Sequence, residues 1–244
     1  MGSWPWTARP NFVLRNGVNP TDYAMDSPEA RRIVRRLVPQ LGESPYVLFL
    51  GRLDPKKRLD LLLAAFLGGA PPEFKLVVAG PDAHGLWPRM AGRYVTGAGA
   101  AARVCRVGTV TGRAKVALLA AASLFALPSE HENFGLAALE SLAAGTPVLL
   151  SPRVDLAGPV ASARLGRTAP LDPASWRSEF TRLRSSTPDR CEATERRQHW
   201  VREHYAWGPI AAELVDRYRS IVAGCSPEIV RGTEAPRFAE AVAR

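Results

Sequence analysis

The sequence predicts an α/β fold built on a doubly wound, Rossmann-like parallel sheet. Short runs such as residues 46–51 and 74–80 are almost continuously apolar and do not alternate with polar residues, which indicates strands that are buried on both faces. Helical stretches separate these runs, and strands that alternate with helices form βαβ units. We therefore expect one parallel sheet, followed by terminal helices.

The individual elements follow from local signals. Six core strands are predicted at residues 46–51, 74–80, 102–108, 123–128, 146–151 and 166–172. Before them, residues 11–17 predict a short strand that runs into an Asn-Gly turn, and residues 27–42 predict a helix capped by Ser27. After them, two helices meet near Trp207, and residues 225–244 are expected to be a disordered tail.

Composition excludes several classes of protein. Of the 244 residues, 46% are apolar and 23% charged, as in ordinary globular proteins. The longest nearly uninterrupted apolar stretch, residues 116–127, falls short of the ~20 residues that span a bilayer, and the start lacks the apolar segment of a signal peptide. We expect a cytoplasmic location. Three widely spaced cysteines favour neither a disulfide framework nor a zinc site, so Cys105 is expected to be a buried thiol.

The net charge of +9 raises the question of an anionic partner. The basic residues are spread along the chain, with one true cluster at residues 31–36, and no stripe of aromatic and basic residues suggests base stacking. We therefore expect no nucleic-acid binding. A phosphate-bearing small ligand or an acidic membrane surface would account for the same charge.

Ligands of open α/β sheets bind beyond the carboxyl ends of the strands. The loop after the first core strand carries Gly51, Arg52 and Lys57, which together suit a diphosphate, although a solvated turn would explain its basic residues equally well. The loop after the second strand lacks the dinucleotide fingerprint. The polar loop around Val110 could lay its backbone along a flat base.

Two carboxylates, Glu132 and Glu140, flank the start of the helix after the fourth strand. If the helix begins near residues 134–136, its free N–H groups lie between the carboxylates, which favours a clamp on one long ligand over an acid/base pair. Glu132 would equally suit a charge near a helix N-terminus. Glu140 would suit a solvated helix position, but its apolar neighbours indicate a need for a partner.

Four segments resemble one family: residues 49–66, residues 75–82, residues 124–151 with Glu-x7-Glu around Asn-Phe-Gly, and residues 204–218. They look like the nucleotide-sugar-binding half of glycogen-synthase-like retaining glycosyltransferases (family four, GT-B fold). The resemblance extends from about residue 16 to about residue 222. The spacing from "GRL" and its lysine to the paired glutamates is its most specific part.

The resemblance implies a role for each residue. Gly51, Arg52 and Lys57 would hold the donor diphosphate, Glu132 would contact the transferred sugar as the catalytic residue, Glu140 would accept the ribose hydroxyls, and Val110 would flank the base. The sugar and phosphates would also meet Asn133, Phe134, Gly135 and Leu136. The family transfers a hexosyl group with retention and without a metal, and no Asp-x-Asp motif occurs here. The nucleotide sugar is a substrate, so no cofactor is expected.

Two features depart from the family pattern. Arg58 stands where the family usually has glycine, and the acceptor-binding domain with its histidine is missing. Residues 1–22 then correspond to a linker from that domain, and residues 23–224 to the donor domain. Without the missing domain, an apolar patch on the final helices is expected to be exposed, with Trp207, Leu214, Val215 and Tyr218.

The sequence thus predicts the donor domain of a retaining hexosyltransferase in polysaccharide, lipopolysaccharide or glycolipid synthesis. Its partners would be a nucleotide-sugar donor, an acceptor glycan or lipid-linked sugar, and a separate N-terminal domain chain, with a peripheral position at the inner face of the membrane. The alternatives are a non-catalytic nucleotide-sugar-binding subunit of a split enzyme and a nucleotide-sugar epimerase. The four histidines do not replace the missing one, and His131 suits loop filler or an indirect contact equally well.

Overall fold

The computed structural model describes residues 14–183 and 190–223, with side chains from residue 192 onwards in the second range. The chain divides into two compact units, Asn19–His204 and a smaller unit of residues 1–18 with residues 205–244. The expected tail at residues 225–244 lies outside the described residues, as does most of the predicted linker. The predicted domain boundaries stay predictions.

The larger unit contains a six-stranded sheet in which every neighbouring pair is parallel. The strands are β1 (Tyr46–Leu50), β2 (Lys75–Ala79), β3 (Val104–Val107), β4 (Leu124–Leu127), β5 (Val148–Leu150) and β6 (Gly166–Thr168). Their order is β3-β2-β1-β4-β5-β6. The predicted doubly wound parallel sheet is confirmed.

Burial explains why these runs form strands. Every residue of β1, β4 and β5 is buried, as expected for apolar strands covered on both faces. Cys105 in β3 is a buried free thiol, as predicted. The strand order reverses between β1 and β4, where Val47 pairs with Leu124. A ligand crevice is expected beyond the carboxyl ends of these two strands.

Helices connect the strands. They are α1 (Ser27–Leu37), α2 (Leu59–Gly69), α3 (Leu86–Tyr94), α4 (Gly97–Arg103), α5 (Gly112–Ala121), α6 (Leu136–Ala143), α7 (Ala157–Ser162), α8 (Pro173–Thr181), α9 (Arg190–Tyr205) and α10 (Trp207–Val222). Aromatic contacts join α2 to α8, where the ring centroids of Phe66 and Phe180 lie 5.8 Å apart. Trp176 completes this buried cluster.

Two local predictions differ from the structure, and two helices were not predicted. Within the strand predicted at residues 11–17, residues 14–17 form no strand, and residues 11–13 lie outside the described residues. The chain instead pairs near the start of α10, where Val18 N–H donates to the carbonyl of Tyr205 over 2.8 Å. The cap of α1 is Asp26, whose carboxylate accepts from Glu29 N–H, so Ser27 is already helical. Helices α4 and α7 were not predicted, because α4 lacks apolar periodicity and α7 contains an internal proline.

Within the smaller unit, α10 carries exposed apolar side chains. Trp207, Val215 and Tyr218 are 47%, 44% and 58% exposed, whereas Leu214 is half-buried. Three of the four residues in the expected patch are thus exposed in the part of the chain that the structure describes.

Candidate functional site

The loops beyond β1 and β2 are held together by their backbones. Gly51 N–H donates to the carbonyl of Ala79 over 3.1 Å, and Leu53 N–H donates to that of Pro81 over 2.9 Å. Gly80 has a φ of 130°, and a Cβ there would collide with the carbonyl oxygen of Gly51. Glycine at position 80 therefore permits this approach, which fixes the loop that carries Arg52.

Lys57 ends a short 3-10 helix, Pro55–Lys57, which begins where the Asp54 carboxylate accepts from Lys56 N–H. Its ammonium forms an ion pair with Oε2 of Glu132, and the two side chains are 12% and 24% exposed. Lys56 is exposed. A solvated turn therefore describes Lys56 but not Lys57, whose charge is turned toward the β4 loop.

Burial lowers the pKa of Lys57 to about 8, and the charges of Lys56 and Arg52 act in the same direction. Arg52 itself is exposed. Because its charge lowers the pKa of Lys57, two cations lie near one another beyond the end of β1. The negative charge of Asp54 opposes the shift, because a nearby anion favours the ammonium form. A diphosphate would do the same.

The loop that carries Glu132 is fixed by its backbone. Glu132 N–H donates to the carbonyl of Arg153, and its own carbonyl accepts from Asp155 N–H, each over 3.3 Å. On the other side, Glu130 N–H donates to the carbonyl of Lys56 over 2.7 Å. These bonds tie the loop after β4 to the loops after β1 and β5, and Glu132 is placed at the switch point of the sheet.

Helix α6 begins at Leu136, between the two glutamates, as predicted. Gly135 precedes it with a φ of 91°, and a Cβ there would lie 2.8 Å from Val154 Cγ1. Asn133 and Leu136 are exposed and Phe134 is half-buried. Ala138 N–H and Leu139 N–H donate to the carbonyl of Gly135, and the N–H groups that precede them at the start of the helix are suited to an anion.

Glu140 is the fifth residue of α6, ~6 Å along the axis from Leu136. Its side chain is 14% exposed, so it is not a solvated helix position. Oε1 accepts from the hydroxyl of Tyr23 over 2.8 Å and from the ammonium of Lys115 over 2.6 Å. The partner that Glu140 needs is therefore supplied by the chain itself.

Tyr23 and Lys115 also lie close to one another. The Lys115 ammonium is 6.0 Å from the centroid of the Tyr23 ring. Burial, the hydrogen bond to Glu140 and its negative charge all raise the pKa of the Tyr23 hydroxyl, which therefore stays protonated and donates.

Arg58, the departure from the family pattern, keeps a glycine-like backbone with φ 51° and ψ 47°. Its guanidinium donates to Asp60 over 3.1 Å and to Glu130 over 3.0 Å. Its side chain is thus engaged by two carboxylates. Val110, the predicted base contact, is half-buried in the loop between β3 and α5.

The family model for "Glycosyl transferases group 1" matches residues 32–161, more than half of the chain. The chain belongs to the group 1 glycosyl transferases. The resemblance inferred from the Glu-x7-Glu segment is confirmed, since this match includes both glutamates.

Curated relatives agree with this assignment, and solved structures share the fold. A D-inositol 3-phosphate glycosyltransferase from Salinispora arenicola is 33% identical over 85% of this chain and 48% of its own length. This glycosyl transferase chain thus spans about half the length of the curated relatives it matches. Sucrose-phosphate synthase from Thermosynechococcus elongatus is 25% identical with a TM-score of 0.73, covering 86% of this chain and 52% of the other. Anabaena HepE in complex with UDP is 19% identical with a TM-score of 0.75, covering 86% and 57%.

Sequence reasoning missed Tyr23 and Lys115 in this glycosyl transferase. One signal was available: only four of the 32 residues counted as Lys or Arg are lysines. Two of these four, Lys57 and Lys115, contact the paired glutamates. A lysine carries a compact point charge on a flexible stem, so the few lysines of an arginine-rich chain were candidates for contacts with the two carboxylates.

Three further points concern His131, metal ions and membrane spans. His131 is exposed, and its carbonyl accepts from the Ser129 hydroxyl over 3.0 Å. Among the described residues, no cluster of three or more His, Cys, Asp or Glu could hold a metal ion. No helix within residues 14–183 and 190–223 is long and apolar enough to cross a membrane.

Proposed function

We propose that this chain is the donor-binding half of a hexosyltransferase that uses a nucleoside-diphosphate sugar and retains the anomeric configuration. The observation that carries the proposal is the arrangement of two glutamates around the start of α6, each in contact with its own lysine. Both pairs lie in or next to loops at the carboxyl edge of the sheet, where open α/β sheets bind ligands.

The Lys57 side of this arrangement suits the diphosphate. Arg52 and Lys57 supply two positive charges, Gly51 allows close backbone approach, and the first turn of α6 supplies N–H donors. The adjacent loop, Asn133 to Leu136, would then contact both the sugar and the phosphates. Glu132 would accept hydroxyls of the transferred hexose once a phosphate takes its place on Lys57.

The Glu140 side suits the nucleoside. Both intramolecular donors reach Oε1, which leaves Oε2 as the acceptor for ribose hydroxyls in this proposal. Val110 would flank the base with its backbone. A donor that lies from Lys57 to Glu140 would thus meet cations at its phosphates and a carboxylate at its ribose.

The chemistry we propose is front-face departure of the diphosphate and attack by the acceptor hydroxyl on the same face. The leaving diphosphate takes the proton of the acceptor, so the cations on the diphosphate matter more than a protein base. Preorganised positive groups stabilise charge that develops in the transition state. Arg52 and Lys57 would provide this stabilisation without a cofactor, and the nucleotide sugar is itself the substrate.

The acceptor would be a glycan or lipid-linked sugar in polysaccharide, lipopolysaccharide or glycolipid synthesis. We propose that a second Rossmann-like domain, in the same polypeptide or in a separate chain, holds it, because a site between two domains needs both. A cytoplasmic location at the inner face of the membrane would suit the net charge of +9, which favours acidic lipids.

The test is calorimetric titration with the diphosphates of uridine, guanosine and adenosine. Uridine comes first because a solved structure of similar fold, Anabaena HepE, is a complex with UDP. Replacing Arg52 by Ala is expected to weaken binding by about tenfold, the loss of one charged contact. Arg35, exposed on α1 and paired with Glu43, provides the matched control Arg35→Ala, which should bind like the wild type.

No binding of any of the three diphosphates would contradict the proposal. Binding without turnover, when acceptors and an N-terminal partner domain are supplied, would favour a non-catalytic nucleotide-sugar-binding subunit. Conversion of the donor to its epimer in the absence of an acceptor would instead indicate an epimerase. Transfer of the sugar with retained configuration, read by nuclear magnetic resonance of the product, is the expected outcome.

A further inference from the structure

Three elements of the larger unit converge on one carboxylate oxygen. Tyr23 ends the short 3-10 helix Pro20–Tyr23, Lys115 lies in the first turn of α5, and Glu140 lies in α6. Tyr23 and Lys115 are 117 and 25 positions from Glu140 in sequence. Such long-range hydrogen bonds are set by the fold and not by a local turn.

The two donors differ in chemistry and reach the same atom. The Tyr23 hydroxyl is neutral and donates one hydrogen bond at 2.8 Å, and the Lys115 ammonium adds a charge at 2.6 Å. With one oxygen held from two directions, the carboxylate plane of Glu140 has a defined orientation before any ligand arrives. Ordering a side chain in advance removes that entropic cost from the binding step.

We propose that Tyr23 and Lys115 are positioning residues that hold Glu140 so that its second oxygen, Oε2, accepts the ribose hydroxyls of the donor. This inference rests on the proposed function. It assigns the recognition of ribose to a three-residue unit, of which Glu140 alone touches the ligand. It also gives the Tyr23 hydroxyl a role that a phenyl ring could not fill.

The chain offers sharp variants and matched controls. Tyr23→Phe removes one hydroxyl and keeps the ring, and Lys115→Met removes the charge and keeps most of the length. Tyr46→Phe is the matched control for the hydroxyl: Tyr46 begins β1 at the opposite edge of the sheet, and its hydroxyl donates to the carbonyl of Leu118 in α5 over 2.7 Å. Lys75→Met is the control for the charge, since Lys75 begins β2 at that same edge and contacts the carbonyl of Gln40.

The experiment compares UDP with 2′,3′-dideoxy-UDP on the 244-residue chain by calorimetry, with the guanosine and adenosine pairs in parallel. Tyr23→Phe is expected to weaken UDP binding about threefold and Lys115→Met about tenfold, in line with the loss of a neutral and a charged hydrogen bond. Neither variant should change the affinity for the dideoxy ligand, which lacks the hydroxyls. Both control variants should bind both ligands like the wild type, even where Tyr46→Phe lowers the Tm.

Other outcomes would overturn the inference. Equal weakening of UDP and dideoxy-UDP would show that Tyr23 and Lys115 shape the site in general and do not act through ribose. Unchanged UDP binding in both variants would show that Glu140 needs neither donor. If the wild type binds none of the three nucleoside diphosphates, the proposed function itself fails, and the inference fails with it; a wild type that binds while the variants show no ribose-specific loss overturns the inference alone.

Discussion

The two ends of the proposed donor site each pair a glutamate with positive or hydrogen-bonding groups, but in different arrangements. At one end, Lys57 and Glu132 form a one-to-one pair, and burial lowers the pKa of the lysine to about 8. At the other end, Glu140 holds two donors on a single oxygen. In the proposed function the first pair exchanges its carboxylate for a phosphate, whereas the second presents a carboxylate that two hydrogen bonds already orient. The start of α6 lies between the exchangeable end and the preset end, because Glu132 precedes the helix and Glu140 is its fifth residue.

Both ends of the proposed site depend on the geometry at the start of α6. The largest effect on the site is therefore expected from replacing Gly135. Replacement by Ala meets a φ of 91° and a Cβ contact of 2.8 Å with Val154. We expect the free energy of unfolding to fall by about 3 kcal/mol from backbone strain and overpacking together, and nucleotide binding to be lost. Chemical denaturation and calorimetry measure the two effects.

Gly92 provides the matched control for this substitution. It lies within α3, its φ is not positive, and open space surrounds its Cβ position. Gly92→Ala should leave nucleotide binding unchanged and raise the free energy of unfolding by about 0.5–1 kcal/mol. If Gly135→Ala behaved in the same way, the two ends would not depend on the geometry of the helix start.

The exchangeable end should make nucleotide binding dependent on pH. Below pH 8 Lys57 is an ammonium in the free protein and pairs directly with a diphosphate; above pH 8 it is increasingly neutral and must take up a proton to do so. The affinity for UDP should therefore be about half its maximum at pH 8 and fall further above it, by at most about tenfold per pH unit. Calorimetry from pH 6.5 to 9.5 measures this dependence.

Lys57→Arg sharpens this test, because a guanidinium stays protonated over the whole range. Its affinity for UDP should be independent of pH, whatever its absolute value. A decline above pH 8 in this variant, equal to that of the wild type, would assign the titration to another group.

The smallest expected effects on UDP affinity come from neutralising each of the two carboxylates in turn. Glu132→Gln removes the anion that competes with phosphate for Lys57, so UDP, which carries no sugar, should bind about threefold more tightly. Glu140→Gln removes the ribose acceptor and should weaken UDP binding by about tenfold. Opposite signs for two equal charge changes, read in one set of titrations, would establish the distinction; weakening by both would contradict it.

The sheet could be predicted from the sequence because each strand is marked by a pattern within its own residues. Each core strand is a short apolar run, and the burial of β1, β4 and β5 requires nothing more than that. The start of α6 was also predictable, because Gly135 comes directly before an apolar helical run. Helices α4 and α7 were not, since neither shows the periodic apolar face that a pattern can detect.

The site was predictable up to the level of loops but not of side-chain partners. The rule for parallel sheets brings Lys57 and Glu132 to one edge, and the structure places them in contact. Nothing local connects Tyr23 to Glu140, since 117 residues separate them. The capping of α1 by Asp26 in place of Ser27 shows the same limit on a smaller scale, because adjacent residues compete for one role.

The scarcity of lysine has a consequence for chemical reactivity. Apart from the amino terminus, the chain offers four primary amines to an acylating reagent, and two of them contact the glutamates of the proposed site. With its pKa lowered to about 8, the Lys57 amine is partly unprotonated, and hence nucleophilic, near neutral pH. Without any engineered tag, the chain thus carries its own chemical reporter at the end of the site that we expect to exchange a carboxylate for a phosphate.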